Sequence, residues 1–160
     1  MKLINLPGRL LMLFALSIIP ITVCHSQIKY QFECALINDG SITLKIWNQN
    51  KGEKLKIQKA QQNAVKALLY NGIPSSDKCT GQKPILNNTE AIEKFKAIEN
   101  EFFAKKGIWI TFTRSADPDN VLPQTLADEK SKAYSVIINK DQLRKYLEEK
   151  GIIKTINSIF

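Results

Sequence analysis

Two stretches in which every second residue is apolar sit on either side of Asn38-Asp39-Gly40, and no other feature limits the fold of this chain as strongly. Tyr30, Phe32, Cys34 and Leu36 alternate with Gln31, Glu33 and Ala35, and Ile42, Leu44 and Ile46 resume the pattern after the turn. Successive side chains of a strand point to opposite faces, so this period of two marks half-buried strands. Asn, Asp and Gly tolerate the backbone that a tight reversal needs. The segment therefore predicts a β-hairpin with one apolar face. Leu55 and Ile57 alternate with lysines, which adds a short third strand.

The pattern then changes to a helical one. Ala60, Ala64, Ala67 and Leu68 share one face of a helix over residues 58–70, with Asn71-Gly72 as its stop. Small alanines on that face let the helix lie close to a sheet. Residues 73–86 carry Pro74, Gly81 and Pro84 and read as a loop, and Asn87 to Glu90 has the spacing of a helix-capping box. The same asparagines form the sequon Asn87-Asn88-Thr89, which serves here as a helix start. A second helix runs to about Lys106, burying Ile92, Phe95, Ile98, Phe102 and Phe103, and Gly107 ends it.

Ile108, Ile110 and Phe112 mark a strand, residues 115–130 an irregular stretch, and residues 134–138 another strand. Asn139 and Gln142 cap a last helix that turns Leu143 and Leu147 inward and stops at Gly151, and the apolar tail with Ile153, Ile156, Ile159 and Phe160 docks on the core. The order ββ(β)ααββα implies an α+β fold, a mainly antiparallel sheet with helices on one face.

The amino terminus sets the compartment. Lys2 and Arg9 precede the uncharged residues 10–23. As a helix that run reaches only about 21 Å at roughly 1.5 Å per residue, short of the roughly 30 Å of bilayer hydrocarbon. A signal peptide over residues 1–26, cut after Ser26, accounts for it, with Cys24 and Ser26 as the small residues before the cleavage site. The competing readings are a lipoprotein attached through Cys24, against which the bulk of Val23 argues, and an uncleaved signal anchor. Residues 27–160 then form a single exported domain, periplasmic or secreted.

Cleavage removes two cations from a formal net charge of +8, so the exported part stays basic. Outside the cytoplasm its partners are not nucleic acids but anionic membrane or wall surfaces, glycans and envelope proteins. Its arginines are Arg114 and Arg144, and its other cations are lysines that largely solvate the surface. Cleavage also removes His25, the one histidine of the chain, and with it histidine general-base chemistry and histidine-bearing zinc sites. No glycine-rich phosphate loop, nucleophile elbow, metal motif or cofactor motif is present. Cys34 and Cys79 remain, too far apart for a redox Cys-x-x-Cys. They form either a structural bridge, worth roughly 3 to 4 kcal/mol across its loop, or two buried thiols, and the bridge fits the polar loop around Cys79 better.

Strand phase nominates a surface. If Ile42, Leu44 and Ile46 face the helices, Thr43, Lys45 and Trp47 face away. If Ile108, Ile110 and Phe112 face in, Trp109, Thr111 and Thr113 face out. Lys45, Trp47, Trp109, Thr111 and Arg114 then make an amphipathic surface suited to a sugar, a peptide or another subunit, unless the tail or the 115–130 loop covers it. The rival is a small hydrolase acting on glycans through Asp117, Asp119, Asp128 and Glu129, acids that are also the only group placed to hold calcium. Asp117-Pro-Asp-Asn120 is equally an ordinary turn. A third reading is a purely structural subunit that buries both tryptophans against a homologous chain.

The runs Ala60-Gln-Gln-Asn-Ala64-Val-Lys-Ala67-Leu-Leu-Tyr-Asn-Gly72-Ile and Cys79-Thr-x-x-Lys-Pro84-Ile-Leu-Asn, with Phe102-Phe103, Phe112-Thr-Arg-Ser115 and Leu143-Arg-Lys-Tyr-Leu-Glu, resemble a group of small exported proteins of Bacteroides-type bacteria. That resemblance implies an envelope location and no catalytic residue. A likeness confined to the alanine-spaced helix is to envelope lipoproteins of the flagellar-assembly type, from whose lipid signal Val23 departs. The reading that follows is a non-enzymatic accessory or binding module that contacts another envelope component.

Intact mass of the native product tests the compartment. It is expected to begin at Gln27 and to weigh about two daltons less than its reduced form. A product that still begins at Met1, or one lipidated at Cys24, would reject the proposed cleavage.

Overall fold

In the computed structural model, which describes residues 30–48, 55–116, 121–123 and 132–155, the hairpin forms as its alternation dictates. Strand β1 (Tyr30–Asn38) pairs antiparallel with β2 (Ser41–Asn48) across Asp39-Gly40. The register slips between Cys34 and Leu36, and this bulge shifts the phase of the strand. Before it, Phe32 and Cys34 stand opposite Ile46 and Leu44. After it, Ile37 takes the inward place opposite Ile42, and Leu36 is turned out to solvent at 49% exposure. The single unbroken apolar face expected of Tyr30 to Leu36 is thus corrected at its last member.

No strand forms at Leu55 and Ile57. Leu55 is buried in irregular chain, Ala60 N–H bonds to Lys56 C=O, and α1 (Ile57–Lys66) starts there. Ala60, Ala64, Ala67 and Leu68 are all fully buried, so the small-residue face does let α1 pack against β2, β3 and β5. The last turn, Ala67–Asn71, widens to a π-turn, with Gly72 N–H on Ala67 C=O. A helix end leaves carbonyls without intrahelical partners. Here Leu68 and Leu69 C=O accept from Ile85 and Leu86 N–H at 3.1 and 3.0 Å, which docks the end of the 73–86 loop on the helix. The rest of that loop folds back on itself through Ile73 with Gln82 and Ser76 with Cys79. The Cys34–Cys79 disulfide, Cα atoms 6.1 Å apart, ties it to β1.

Helix α2 (Thr89–Phe102) is capped one residue later than its spacing implied. Asn88, not Asn87, accepts Ala91 N–H, at 2.8 Å. The helix also stops at Phe102, short of Lys106. The residues that follow include a 3-10 turn, Ile108–Phe112, where a strand was expected. The residues beyond it form β3 (Thr113–Ser115), β4 (Val121–Pro123) and β5 (Lys132–Asn139), then α3 (Lys140–Glu149), whose cap Asn139 accepts Gln142 N–H at 3.2 Å. β4 lies inside the stretch read as irregular.

The sheet is antiparallel throughout its described strands, in the order β1-β2-β5-β3, with β4 also on β5. Since β2 takes one edge of β5, β3 and β4 share the other, near its two ends. The fold is α+β, as expected. Ile42, Leu44, Ile46, Val136 and Ile138 line the inner face with Leu143 and Leu147 of α3 in the same core. Around Phe95 and Phe102 the rings of Tyr70, Phe103 and Tyr146 pack edge-on or tilted and that of Phe112 stacks on Phe102, at centroid separations of 4.9 to 6.2 Å. Each such pair adds about 0.5–1.5 kcal/mol beyond area burial. This cluster joins α2 to the 3-10 turn and α3. Ile152 is buried and Ile153 packs on the core, whereas Ile156, Ile159 and Phe160 lie outside the described residues, as do the leader with Cys24 and His25.

Gly72 and Gly151 separate two costs of a side chain. Both adopt left-handed backbone, φ 71° and 66°, but a Cβ at Gly151 meets open space and one at Gly72 collides with Gln82 C=O. Gly151→Ala is expected to lose about 1 kcal/mol in urea unfolding. Gly72→Ala should lose roughly 3 kcal/mol or more. Equal losses would mean that the loop gives way freely.

Candidate functional site

The face of the sheet turned away from the helices is laid out by strand register. Gln31, Glu33 and Leu36 of β1 stand beside Trp47, Lys45 and Thr43 of β2, Lys45 and Thr43 face Ser135 and Ile137 of β5, and Ile137 faces Arg114 of β3. Trp47 is half-buried and its Nε1–H donates to Gln31 Oε1 at 2.7 Å. Lys45 Nζ lies 3.3 Å from Glu33 Oε1, a cross-strand ion pair that neutralises its charge. Opposite Lys45, Ser135 is buried, so this face is covered at its middle.

At one end, near the hairpin turn, Ser41, Thr111, Phe112, Thr113, Arg114, Ile137 and Asn139 line a cleft of about 290 Å³. Four elements build it. β2 supplies Ser41 beside the hairpin turn, β5 supplies Ile137 and Asn139, and Gly40 C=O accepts Asp141 N–H at 3.1 Å, which seats that turn on the start of α3. The 3-10 turn supplies Thr111, whose Oγ donates to Ile108 C=O at 2.7 Å. β3 supplies Arg114, exposed and without an ion pair among the described residues. The Arg114 guanidinium, the Ser41 hydroxyl and the Asn139 amide are donors for an oxygen-rich anion, whereas the Thr111 and Thr113 hydroxyls, which donate to Ile108 and Ile110 C=O, offer acceptor lone pairs to a ligand's own hydroxyls.

Trp109 does not belong to this surface. The expected strand would have turned it outward, but it is 4% exposed and its Nε1–H donates to Ala104 C=O at 2.9 Å. In a 3-10 turn, residues three apart share a side. Trp109 and Phe112 therefore both enter the core, and Ile108 and Ile110, expected inside, are each 40% exposed. Of the five nominated residues, the structure brings Thr111 and Arg114 together in the cleft, leaves Lys45 and Trp47 along the sheet, and buries Trp109. Asn139 was read only as a helix cap, a role it keeps, and Ser41 was not singled out; nothing in a single sequence marks that the two meet around Arg114.

Asp117, Asp119, Asp128 and Glu129 lie outside the described residues. Among the described residues no three His, Cys, Asp or Glu side chains gather to hold a metal ion. The phenols that burial perturbs belong to residues packed against the core. Burial pushes the Tyr30 phenol up to about 12, offset in part by a hydrogen bond with Asn71. Tyr70 is raised further, by burial and then by Glu99, and Tyr146 is raised by burial and Glu101. These phenols are structural groups held neutral.

Acrylamide quenching distinguishes the two indoles. Trp109→Phe should leave the quenchable emission of Trp47, and Trp47→Phe should leave a blue-shifted emission that acrylamide barely reaches. Strong quenching in the Trp47→Phe protein would restore Trp109 to the surface. No family model, no curated protein and no solved structure matches this chain, so the chemistry of the cleft is read from its own residues.

Proposed function

We propose that the chain is an exported, non-enzymatic binding module of the cell envelope, and that it holds an acidic glycan or a similarly oxygen-rich envelope component on the outer face of its sheet. The observation that carries this reading is the exposed guanidinium of Arg114 in a cleft otherwise lined by hydroxyls, an amide, Phe112 and Ile137. Arginine presents a planar fork that matches a carboxylate with two parallel hydrogen bonds, and hydroxyls and amides match sugar oxygens. Trp47, on β2, offers an amphipathic ring further along the same face. A disulfide that ties the 73–86 loop to β1 suits an oxidising compartment, and among the described residues no helix is long and apolar enough to cross a membrane. Both features are compatible with the export expected of the leader and with the envelope location that the resemblance to small exported proteins implies.

Calorimetric titration with acidic oligosaccharides, against neutral ones of equal length, tests the proposal. A charge-assisted, bidentate contact contributes about 1.5–3 kcal/mol. Arg114→Ala should therefore weaken acidic-oligosaccharide binding by about tenfold or more. Arg114→Lys should recover only part of it, and Trp47→Ala should weaken it less. Equal affinity of the Arg114→Ala and unaltered proteins would remove the cleft from the site.

A further inference from the structure

The turn between α2 and β3 carries a surface that the cleft does not use. Leu36, Ile108 and Ile110 are the large apolar residues most exposed among those described, and two of the three flank one buried tryptophan. Lys105 and Lys106, both exposed, come just before Ile108, with Gly107 between. Lys66 of α1 is held beside the same turn, its Nζ 4.8 Å from the centroid of the Phe103 ring, and Gln62 Nε2 donates to Phe103 C=O at 3.1 Å. Glu99, hydrogen-bonded with Tyr70, and the exposed Glu101 are the carboxylates nearest in sequence, and the three cations Lys66, Lys105 and Lys106 outnumber them.

The turn is also stiff. Ala104 C=O accepts both Gly107 N–H, at 2.8 Å, and the indole N–H of Trp109, at 2.9 Å. With Trp109 and Phe112 fixed in the core, Ile108 and Ile110 have nowhere to turn but outward. Two aliphatic side chains on a rigid tip, bordered by cations, are the elements of a peripheral membrane contact: apolar groups enter the headgroup boundary while lysines remain at the phosphates.

We propose that residues 104–110 are a docking tip for an anionic lipid bilayer. Charge complementarity selects that occupant over a protein. The tip offers Ile and Lys, not the Trp, Tyr and Arg that dominate protein interfaces. Two isoleucines are also far short of the roughly 800 Å² that each partner buries in a stable complex. Lysines are flexible, strongly hydrated point charges that suit fluid headgroups lacking a fixed geometry.

Co-sedimentation of the native protein with phosphatidylglycerol vesicles and with phosphatidylcholine vesicles reads the contact. Binding is expected to the first and not the second, and to fall with added salt. Lys105→Gln should lower the partition by about fivefold, and Lys106→Gln likewise. Ile108→Ser with Ile110→Ser should lower it by at least about fivefold, from lost apolar burial. In the Ile108→Trp protein the introduced indole should be quenched by brominated lipid. Arg114→Ala should leave vesicle binding intact while abolishing most oligosaccharide binding, which keeps failure of the tip apart from failure of the cleft. Absence of phosphatidylglycerol binding, or binding that neither pair of substitutions changes, overturns the proposal. So does a tip pair that lowers oligosaccharide affinity and leaves vesicles bound.

Discussion

β5 is the strand on which the rest depends. It meets β2 through Ile42↔Ile138, Leu44↔Val136 and Ile46↔Tyr134, and it carries β3 and β4 on its other edge. Without it the β1-β2 hairpin is an isolated two-stranded ribbon, which is marginal in water. The pairing joins the first elements of the fold to nearly the last, so a long loop must close before any contact rewards it. The Cys34–Cys79 bridge shortens only the first part of that loop, by pinning the 73–86 segment to β1. The inward side chains of β2 and β5, fully buried or nearly so, hold the closure. Gly40 and Asp141 join the turn of the hairpin to the helix that follows β5, so the turn and the end of β5 are locked together at one end of the sheet.

Much of this was legible in residue order. The hairpin, the alanine face of α1 and the cap and inward leucines of α3 follow from local patterns whose physical cause is local, and the cysteine pair follows from there being two cysteines in the proposed exported part. Leu36 was misread because alternation assumes an unbroken pleat, and a bulge of one residue inverts every side chain after it. Ile108 to Phe112 failed for a different reason. Five residues with apolar groups at 108, 109, 110 and 112 fit a period of two and a period of three about equally, and so short a run cannot arbitrate. The choice is made by packing. Phe112 is inside in either arrangement, and turning Trp109 in beside it buries the largest side chain of the run with its indole N–H satisfied by Ala104 C=O. The cleft was legible only in part: Thr111 and Arg114 were singled out as outward residues, but Ser41 and Asn139 reach them through tertiary contacts that no local pattern encodes.

The same short turn links the core to both surfaces. Phe112 stands among the aromatic rings, stacked on Phe102 at 6.2 Å and 5.5 Å from Tyr146, and it also lines the cleft. Trp109 anchors the turn three residues earlier. With its inward side spoken for at 109 and 112, a 3-10 geometry leaves 108, 110 and 111 outside, so core packing fixes where the apolar tip and the Thr111 hydroxyl point. Neither surface depends on a flexible loop for its geometry, which lowers the ordering cost that a contact would otherwise incur.

The cleft and the tip nevertheless differ in what they demand. Arg114 sits in a strand whose neighbours are set by hydrogen-bonded register, and its value lies in the direction of a planar group. Lys105 and Lys106 lie in the turn that follows α2, and their value lies in charge alone, which a fluid surface reads without direction. A rigid sheet edge for directional recognition and a basic, aliphatic tip for a non-directional one can occupy a single polypeptide because they begin on either side of Thr111. One aromatic core orients both, so a change that loosens Phe102 or Phe112 should degrade the two surfaces together, whereas a change confined to either surface leaves the other standing.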